Sequence, residues 1–212
     1  WMHSGDHDGA KVYTQKFLCT LKSAFIDALL VICIPLLHDL NMPTRIPLSE
    51  INALSAAQFI AALGNVFEHS PWVAERVVDK RPFPDVAALH AAMTGALAAA
   101  NPAEQLALIR AHPELAGREA VEGSLTVDSG SEQGRLGLIA LSRAEFQRMA
   151  DLNQRYRERF GFPCIIALAL HADRESVFDA FETRLKNGQE QELANALEQI
   201  GHITRARLEK ML

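Results

Sequence analysis

From residue 42 to residue 212 the apolar positions recur at the three- and four-residue spacing of amphipathic helices, and no stretch sustains the alternation of a half-buried strand. The breaks between these runs carry helix punctuation. Ser55-Ala-Ala-Gln58 is a capping box, whose two side chains satisfy free N–H groups at a helix start, and it predicts a helix through Phe59 and Leu63 to Val66-Phe67, ending near Ser70-Pro71. A short helix from Trp72 to about Lys80 follows, Pro82 and Pro84 break the chain, and Asp85 opens an alanine-rich helix to Ala100. Asn101-Pro102-Ala103-Glu104 then combines an N-cap, a proline at the first helical position and a capping-box glutamate. The helix it opens runs to Arg110, and Pro113 stops it, because a proline ring disfavours helical backbone at the residue before it.

Gly117, Gly123, Gly130 and Gly134 predict loops beyond that point, with Ser129-Gly-Ser-Glu-Gln133 leading into a short helix Gly134–Leu141. A third capping box, Ser142-Arg-Ala-Glu145, opens a helix through Phe146, Met149, Leu152 and Tyr156 that ends at Phe160-Gly161-Phe162-Pro163. Cys164–Leu170 is apolar and too short to classify, either a buried extended segment or a buried helical turn. Helices over Glu175–Lys186, closed by Asn187-Gly188, and Glu190–Leu212 complete the chain. About seven or eight helices with short connections predict an all-α, single-domain bundle over residues 42–212.

Residues 1–41 read differently. The apolar run Ala24–Leu37 is shorter than the roughly 20 residues that span a bilayer and contains Asp27 and Pro35, so no membrane segment is expected. No small-residue cleavage site follows it in His38–Asn41, so it does not read as a signal peptide. The expectation is an N-terminal extension outside the domain, with Met42 a candidate start and His3 and His7, four apart, a weak metal pair. The formal charge of −5 and scattered arginines give none of the basic field that nucleic-acid binding needs. Cys19, Cys33 and Cys164 are widely separated, which suits a reducing cytoplasm and predicts neither a disulfide framework nor a zinc knuckle.

Three places can carry chemistry. His112 sits at a helix end, where an imidazole either caps and packs or faces a pocket as an acid/base group. Ser129, Glu132 and Gln133 gather polar groups at an expected helix start, an anion site or simply a cap. Glu132, twenty positions after His112, can pair with it and raise its proton affinity. Arg207 falls on the apolar stripe Leu193, Leu197, Ile200, Thr204, Arg207, Met211. A buried guanidinium needs an anion, supplied either internally by Glu68 or Glu132 or by a substrate carboxylate. Glu68-His69-Ser70-Pro71-Trp72 reads as a satisfied corner, and Asn153 and Tyr156 are expected to bond backbone. Cys164 reads as core, and His90, His171 and His202 form no metal pattern.

Phe67-Glu-His-Ser-Pro-Trp72, His112-Pro-Glu-Leu-Ala116, Ser129–Gln133, Leu152-Asn-Gln-Arg-Tyr156 and Phe160-Gly-Phe-Pro163, in that order, resemble the 2-oxo-4-hydroxy-4-carboxy-5-ureidoimidazoline (OHCU) decarboxylase family over about residues 46–212. The resemblance implies an all-α, cofactor-independent, homodimeric cytoplasmic enzyme that takes OHCU, the unstable product of urate oxidation, to (S)-allantoin and carbon dioxide, without metal, nucleic-acid or membrane partners. By motif it makes His112 the catalytic acid/base, with Glu132 and Arg207 beside it. It puts Pro113, Ser129 and Gln133 around the substrate, and backbone groups of Cys164, Ile165, Ile166, Ala167 and Leu168 on its far side. Cys164 departs from the aromatic residue common there. Two other readings of the same residues are a metal-independent ureide or lactam hydrolase and a non-enzymatic helical adaptor. The adaptor requires Arg207 to be buried against an internal acid with no cavity linking it to His112.

Overall fold

The computed structural model describes residues 45–212, so the expectations for residues 1–41, including the His3–His7 pair, lie outside the described residues. Ten α-helices follow: α1 Leu48–Ala53, α2 Ala56–Leu63, α3 Trp72–Glu75, α4 Val86–Ala98, α5 Pro102–Arg110, α6 Arg118–Glu122, α7 Val127–Arg135, α8 Arg143–Phe160, α9 Arg174–Arg184 and α10 Gln189–Met211. Short 3-10 turns occupy Val78–Lys80 and Leu168–Leu170, and there is no strand among the described residues. None of these helices is long and apolar enough to cross a membrane.

The ends read from the sequence have the expected chemistry. Ser55, Asn101 and Ser142 each close a two-way capping box with Gln58, Glu104 and Glu145. Gly161 ends α8 in the left-handed region at φ 77°, which glycine reaches without steric cost. Three expectations are corrected. Helix α2 ends at Leu63, and the chain turns through Val66–Ser70 instead of continuing. The glycine-bearing stretch after Pro113 holds two helices, α6 and α7. The helix expected over Gly134–Leu141 lies earlier, because Thr126 is the N-cap, its side chain accepting the Ser129 N–H at 3.3 Å, and Gly137 at φ 68° ends the segment. Ser129–Gln133 is therefore helix interior, and its N–H groups are not a free anion site.

The 23-residue α10 packs against α4 and α5, α2 against α3, and α8 against α9. Its predicted stripe faces inward: Ile200, Thr204 and Arg207 are buried, and Leu193, Leu197 and Met211 flank the core. Tyr156, Phe160, Phe162 and Phe181 form an aromatic cluster with ring centroids 4.6–6.1 Å apart. Each such buried ring contributes about 1.5–3 kcal/mol by leaving water. The Tyr156 hydroxyl bonds the Glu192 carboxylate and not backbone, whereas Asn153 does bond backbone. Cys164–Ala167 is a buried extended segment, which resolves the choice its composition left open.

Candidate active site

The last carbonyls of a helix have no partner within it. At the end of α5 the His112 ring folds back and Nδ1 bonds the Leu108 carbonyl at 3.0 Å. A carbonyl only accepts, so Nδ1 carries the hydrogen and the neutral ring presents a lone pair at Nε2. Nε2 is buried with no hydrogen-bond partner among the described residues. His112 is thus a cap and a poised acceptor together. Burial pushes its pKa down to about 4, with the Arg207 charge acting in the same direction, while the Leu108 bond and the Glu68 charge oppose them. The expectation that a carboxylate would lift it toward neutrality is reversed, because the cost of charging a buried ring outweighs the pairing.

The loop after His112 is fixed from two helices. Gln133 of α7 accepts the Ala116 N–H at 2.8 Å and donates to the Glu114 carbonyl at 3.4 Å, and Asn153 of α8 donates to the Leu115 carbonyl at 2.9 Å. Ala116 is held at φ 47°, a left-handed conformation that costs a residue with a Cβ about 1–2 kcal/mol. Gln133 therefore works as a brace for the histidine loop.

All five N–H groups of Arg207 are engaged. Nε and Nη2 meet the two oxygens of Glu132 at 2.8 and 3.0 Å, Nη1 meets Glu68 at 2.7 Å and the Val66 carbonyl at 3.4 Å, and Nη2 also reaches Ser129 Oγ at 3.2 Å. Burial opposes its charge, but the bonds and charges of Glu132 and Glu68 more than offset this and raise its pKa. Both acids that the sequence offered to Arg207 are used, and Glu132 pairs with it, not with His112. Glu68, read as part of a corner, belongs to the site: its carboxylate accepts from Thr126 at 2.6 Å and Ser129 at 3.1 Å. Burial raises the Glu68 pKa, but the bonds from Thr126 and Arg207 outweigh it, and the net shift is downward. The sequence placed the helix start at Ser129, so neither the cap role of Thr126 nor its bond to Glu68 was expected. Nothing periodic in the turn around Glu68 marks it as buried.

His112, Pro113, Ser129, Glu132, Gln133 and Arg207 surround one cavity, and Cys164, Ile165, Ile166 and Leu168 close its apolar side with Leu115 and Ile203, two residues the sequence did not single out. Ala167 does not line it; its N–H goes to Gln199 at 2.9 Å and its carbonyl to the Leu170 N–H as the chain turns into Leu168–Leu170. Other backbone groups of this wall are also engaged, Ile165 C=O by Arg184 and Leu168 C=O by Arg135. Burial pushes the Cys164 thiol up to about 12, so it is a wall and not a nucleophile. Among the described residues no group of three or more His, Cys, Asp or Glu side chains could hold a metal. His90 is held by the Gly201 carbonyl of α10 and His171 by Ser176, five residues on. Arg207 is buried against internal acids as the adaptor reading requires, but the cavity it shares with His112 runs against that reading.

The cavity holds about 30 Å³, room for a water molecule or two, whereas small-molecule sites run to roughly 300 Å³ and above. A second pocket of about 320 Å³, lined by Asp128, Ser131, Arg135 and Lys210, also has Glu132 and Arg207 in its wall. The Glu132–Arg207 pair is the partition between them.

A model of the family described as OHCU decarboxylase matches residues 52–209. The chain belongs to the OHCU decarboxylase family. It is 37% identical over 164 residues to the 2-oxo-4-hydroxy-4-carboxy-5-ureidoimidazoline decarboxylase of Haloferax volcanii, covering 77% of this chain and 95% of that one. With the protein of the same description from Mus musculus it shares 35% over 163 residues, 77% and 91% of the two chains. A crystal structure of (S)-allantoin synthase superposes with a TM-score of 0.63 at 29% identity over 78% of this chain, which spans about half (54%) of that longer one. A crystal structure of OHCU decarboxylase in the presence of (S)-allantoin, at 23% identity and a TM-score of 0.56 over 70% of this chain and 96% of that one, shares the fold of this OHCU decarboxylase family member.

Proposed function

We propose that this chain decarboxylates OHCU to (S)-allantoin and carbon dioxide in urate catabolism. The observation that carries the reading is a neutral, buried His112 whose Nε2 has no partner among the described residues, sharing a cavity with a guanidinium. In OHCU one ring carbon bears both a hydroxyl and a carboxylate, and the neighbouring carbon carries the ureido group and a C=N bond. The substrate carboxylate takes the Nε/Nη2 edge of Arg207 that Glu132 now occupies, a fork that binds carboxylates two-pointed. Such a clamp holds a charge that the reaction removes, so its contribution is orientation of the breaking bond and not stabilisation of the transition state. Nε2 of His112 takes the hydroxyl proton as the C–COO bond breaks, and the electron pair moves into the adjacent C=N system. The imidazolium then returns its proton to the neighbouring carbon from one face while the carbonyl forms, and one solvent proton neutralises the ring nitrogen. Delivery from one face sets the single configuration of the product.

Glu132, released from Arg207, is free to accept from the ureido N–H groups. Residues 42–212 form the catalytic domain in this reading, residues 1–41 an extension to it, and the enzyme is a cytoplasmic homodimer; a chain begun at Met42 that keeps turnover, and sedimentation of the purified protein, test the first and last of these. The deciding experiment supplies OHCU freshly made from urate by oxidation and hydrolysis, and follows circular dichroism and carbon dioxide. Fast formation of one allantoin enantiomer with stoichiometric carbon dioxide is the expected result. Decay at the slow uncatalysed rate to racemate refutes the reading.

A further inference from the structure

We propose that Glu68 is a positioning residue of this site, a fixed carboxylate that holds Arg207 and Ser129 from behind so that Glu132 can leave and a substrate carboxylate can take its place. The inference rests on the decarboxylase reading. Two carboxylates meet one guanidinium, and they are not equivalent. Glu68 is 1% exposed and is tied by Thr126, Ser129 and Arg207 together. Glu132 has a side chain 31% exposed, bonds Arg207 alone among the described residues, and faces the outer pocket as well as the inner cavity.

The division of the guanidinium follows. Nη1 is held by the turn between α2 and α3, by the Glu68 carboxylate and the Val66 carbonyl, and these leave only if the core opens. Nε and Nη2 are held along the other edge by Glu132, whose side chain is partly exposed, with buried Ser129 Oγ a further acceptor for Nη2. When a substrate carboxylate replaces Glu132 the inner charge count is unchanged, one cation with two anions, so the exchange leaves no buried charge unpaired. Without Glu68 the same exchange would leave Arg207 with the substrate as its sole anion, free to rotate with it. Glu68 also acts on the proton affinity of His112, its charge opposing the dominant effect of burial. The charges that act most on that ring are those of Glu68, Arg207 and His69; Glu132 and Cys164 share its cavity, and Arg110, Glu114, Arg118, Glu119 and Arg157 line the pocket on its outer side, and of the first three Glu68 opposes the effect of Arg207.

Glu68→Gln and Glu68→Asp test this in the full-length protein, read by OHCU turnover, by thermal unfolding, and by NMR titration of the His112 ring, assigned with His112→Asn. For Glu68→Gln we expect kcat per folded molecule to fall about 100-fold with a smaller change in KM, and the His112 titration to move to lower pH. If Glu68→Gln does not fold, Glu68→Asp carries the test: it keeps the charge but is one carbon too short to hold Arg207, Ser129 and Thr126 at once. We then expect the wild-type His112 titration with kcat down about tenfold. Wild-type kcat in a folded variant, or loss of stability alone with kcat per folded molecule and the titration unmoved, overturns the role of Glu68. An inactive wild type overturns the decarboxylase reading instead, and the titration still reports whether Glu68 acts on His112.

Discussion

With Nδ1–H committed to Leu108 and Nε2 buried without a partner among the described residues, His112 is neutral over the whole neutral range, and the reaction needs it neutral to start. Its pKa of about 4 sets where that requirement fails. We therefore expect kcat/KM to be level from pH 8 to about pH 5 and to fall only near pH 4, whereas a free histidine would give an acid limb near 6.5. Steady-state rates across that range decide it, and a limb at 6.5 would mean that the base is another group. Replacing His112 with Asn keeps a side chain able to donate to Leu108 but removes the proton carrier. Turnover should drop by about 10² to 10⁴, with a native far-ultraviolet spectrum. The residual allantoin should be racemic, and surviving enantiomeric excess would sink the assignment.

Helices whose ends are written in local chemistry were legible, and α5 is the clearest. Asn101, Pro102 and Glu104 lie within four residues of one another, so nothing distant decides where α5 starts. Asn101→Ala should accordingly cost about 1 kcal/mol in urea denaturation. It should leave kcat/KM near wild type, because His112 is held at the other end by Leu108 and by the Gln133 and Asn153 braces; a kinetic defect as large as the stability loss would show that the whole helix transmits. Helix α7 was misplaced because Ser129-x-x-Glu132 imitates a capping box, while Thr126, three residues earlier, is the residue that caps. Helix α1 starts after Pro47 without a side-chain cap, so it had no local mark. The site divides in the same way. His112 and Arg207 stood out, one at a helix end and the other as a polar group on an apolar stripe. Glu68 lies in an aperiodic turn, and the choice of Arg207 over His112 as the partner of Glu132 depends on how α7 meets α10, which no spacing in the chain encodes.

Seen across the whole molecule, two buried polar networks bracket the pocket, Arg207 with Glu68 and Glu132 on one side and Glu192 with Tyr156, Arg184, Asn187 and Asn195 on the other, the latter reaching the wall through Arg184 and Ile165 C=O. Burial raises the Glu192 pKa, but the bonds from Arg184, Tyr156 and Asn187 outweigh it, so Glu192, Glu68 and His112 all bind protons less readily folded than unfolded. Stability rises with pH wherever the unfolded chain holds more protons. The histidine contribution is complete above its unfolded value of 6.5 and is lost as pH falls toward about 4. The two carboxylates contribute above their unfolded value of 4.5 and lose it as pH falls through their lower folded values. Urea denaturation from pH 8 to pH 3.5 should thus show a plateau above 7, a decline of about 3 kcal/mol between 6.5 and 4, from about 1.4 kcal/mol per pKa unit, and a second, steeper loss below 4.5. His112→Asn should remove most of the first decline, leaving the part from His90 and His171, whose proton affinity burial also lowers, and keep the second. Glu192→Gln should keep the first and shrink the second to the part that Glu68 contributes, from a plateau lowered by about 3–5 kcal/mol, because it leaves Arg184 buried without its anion. A His112→Asn curve parallel to wild type through pH 5 would mean that the ring takes up its proton near 6.5 in the folded protein as in the unfolded chain, so that burial does not hold it neutral.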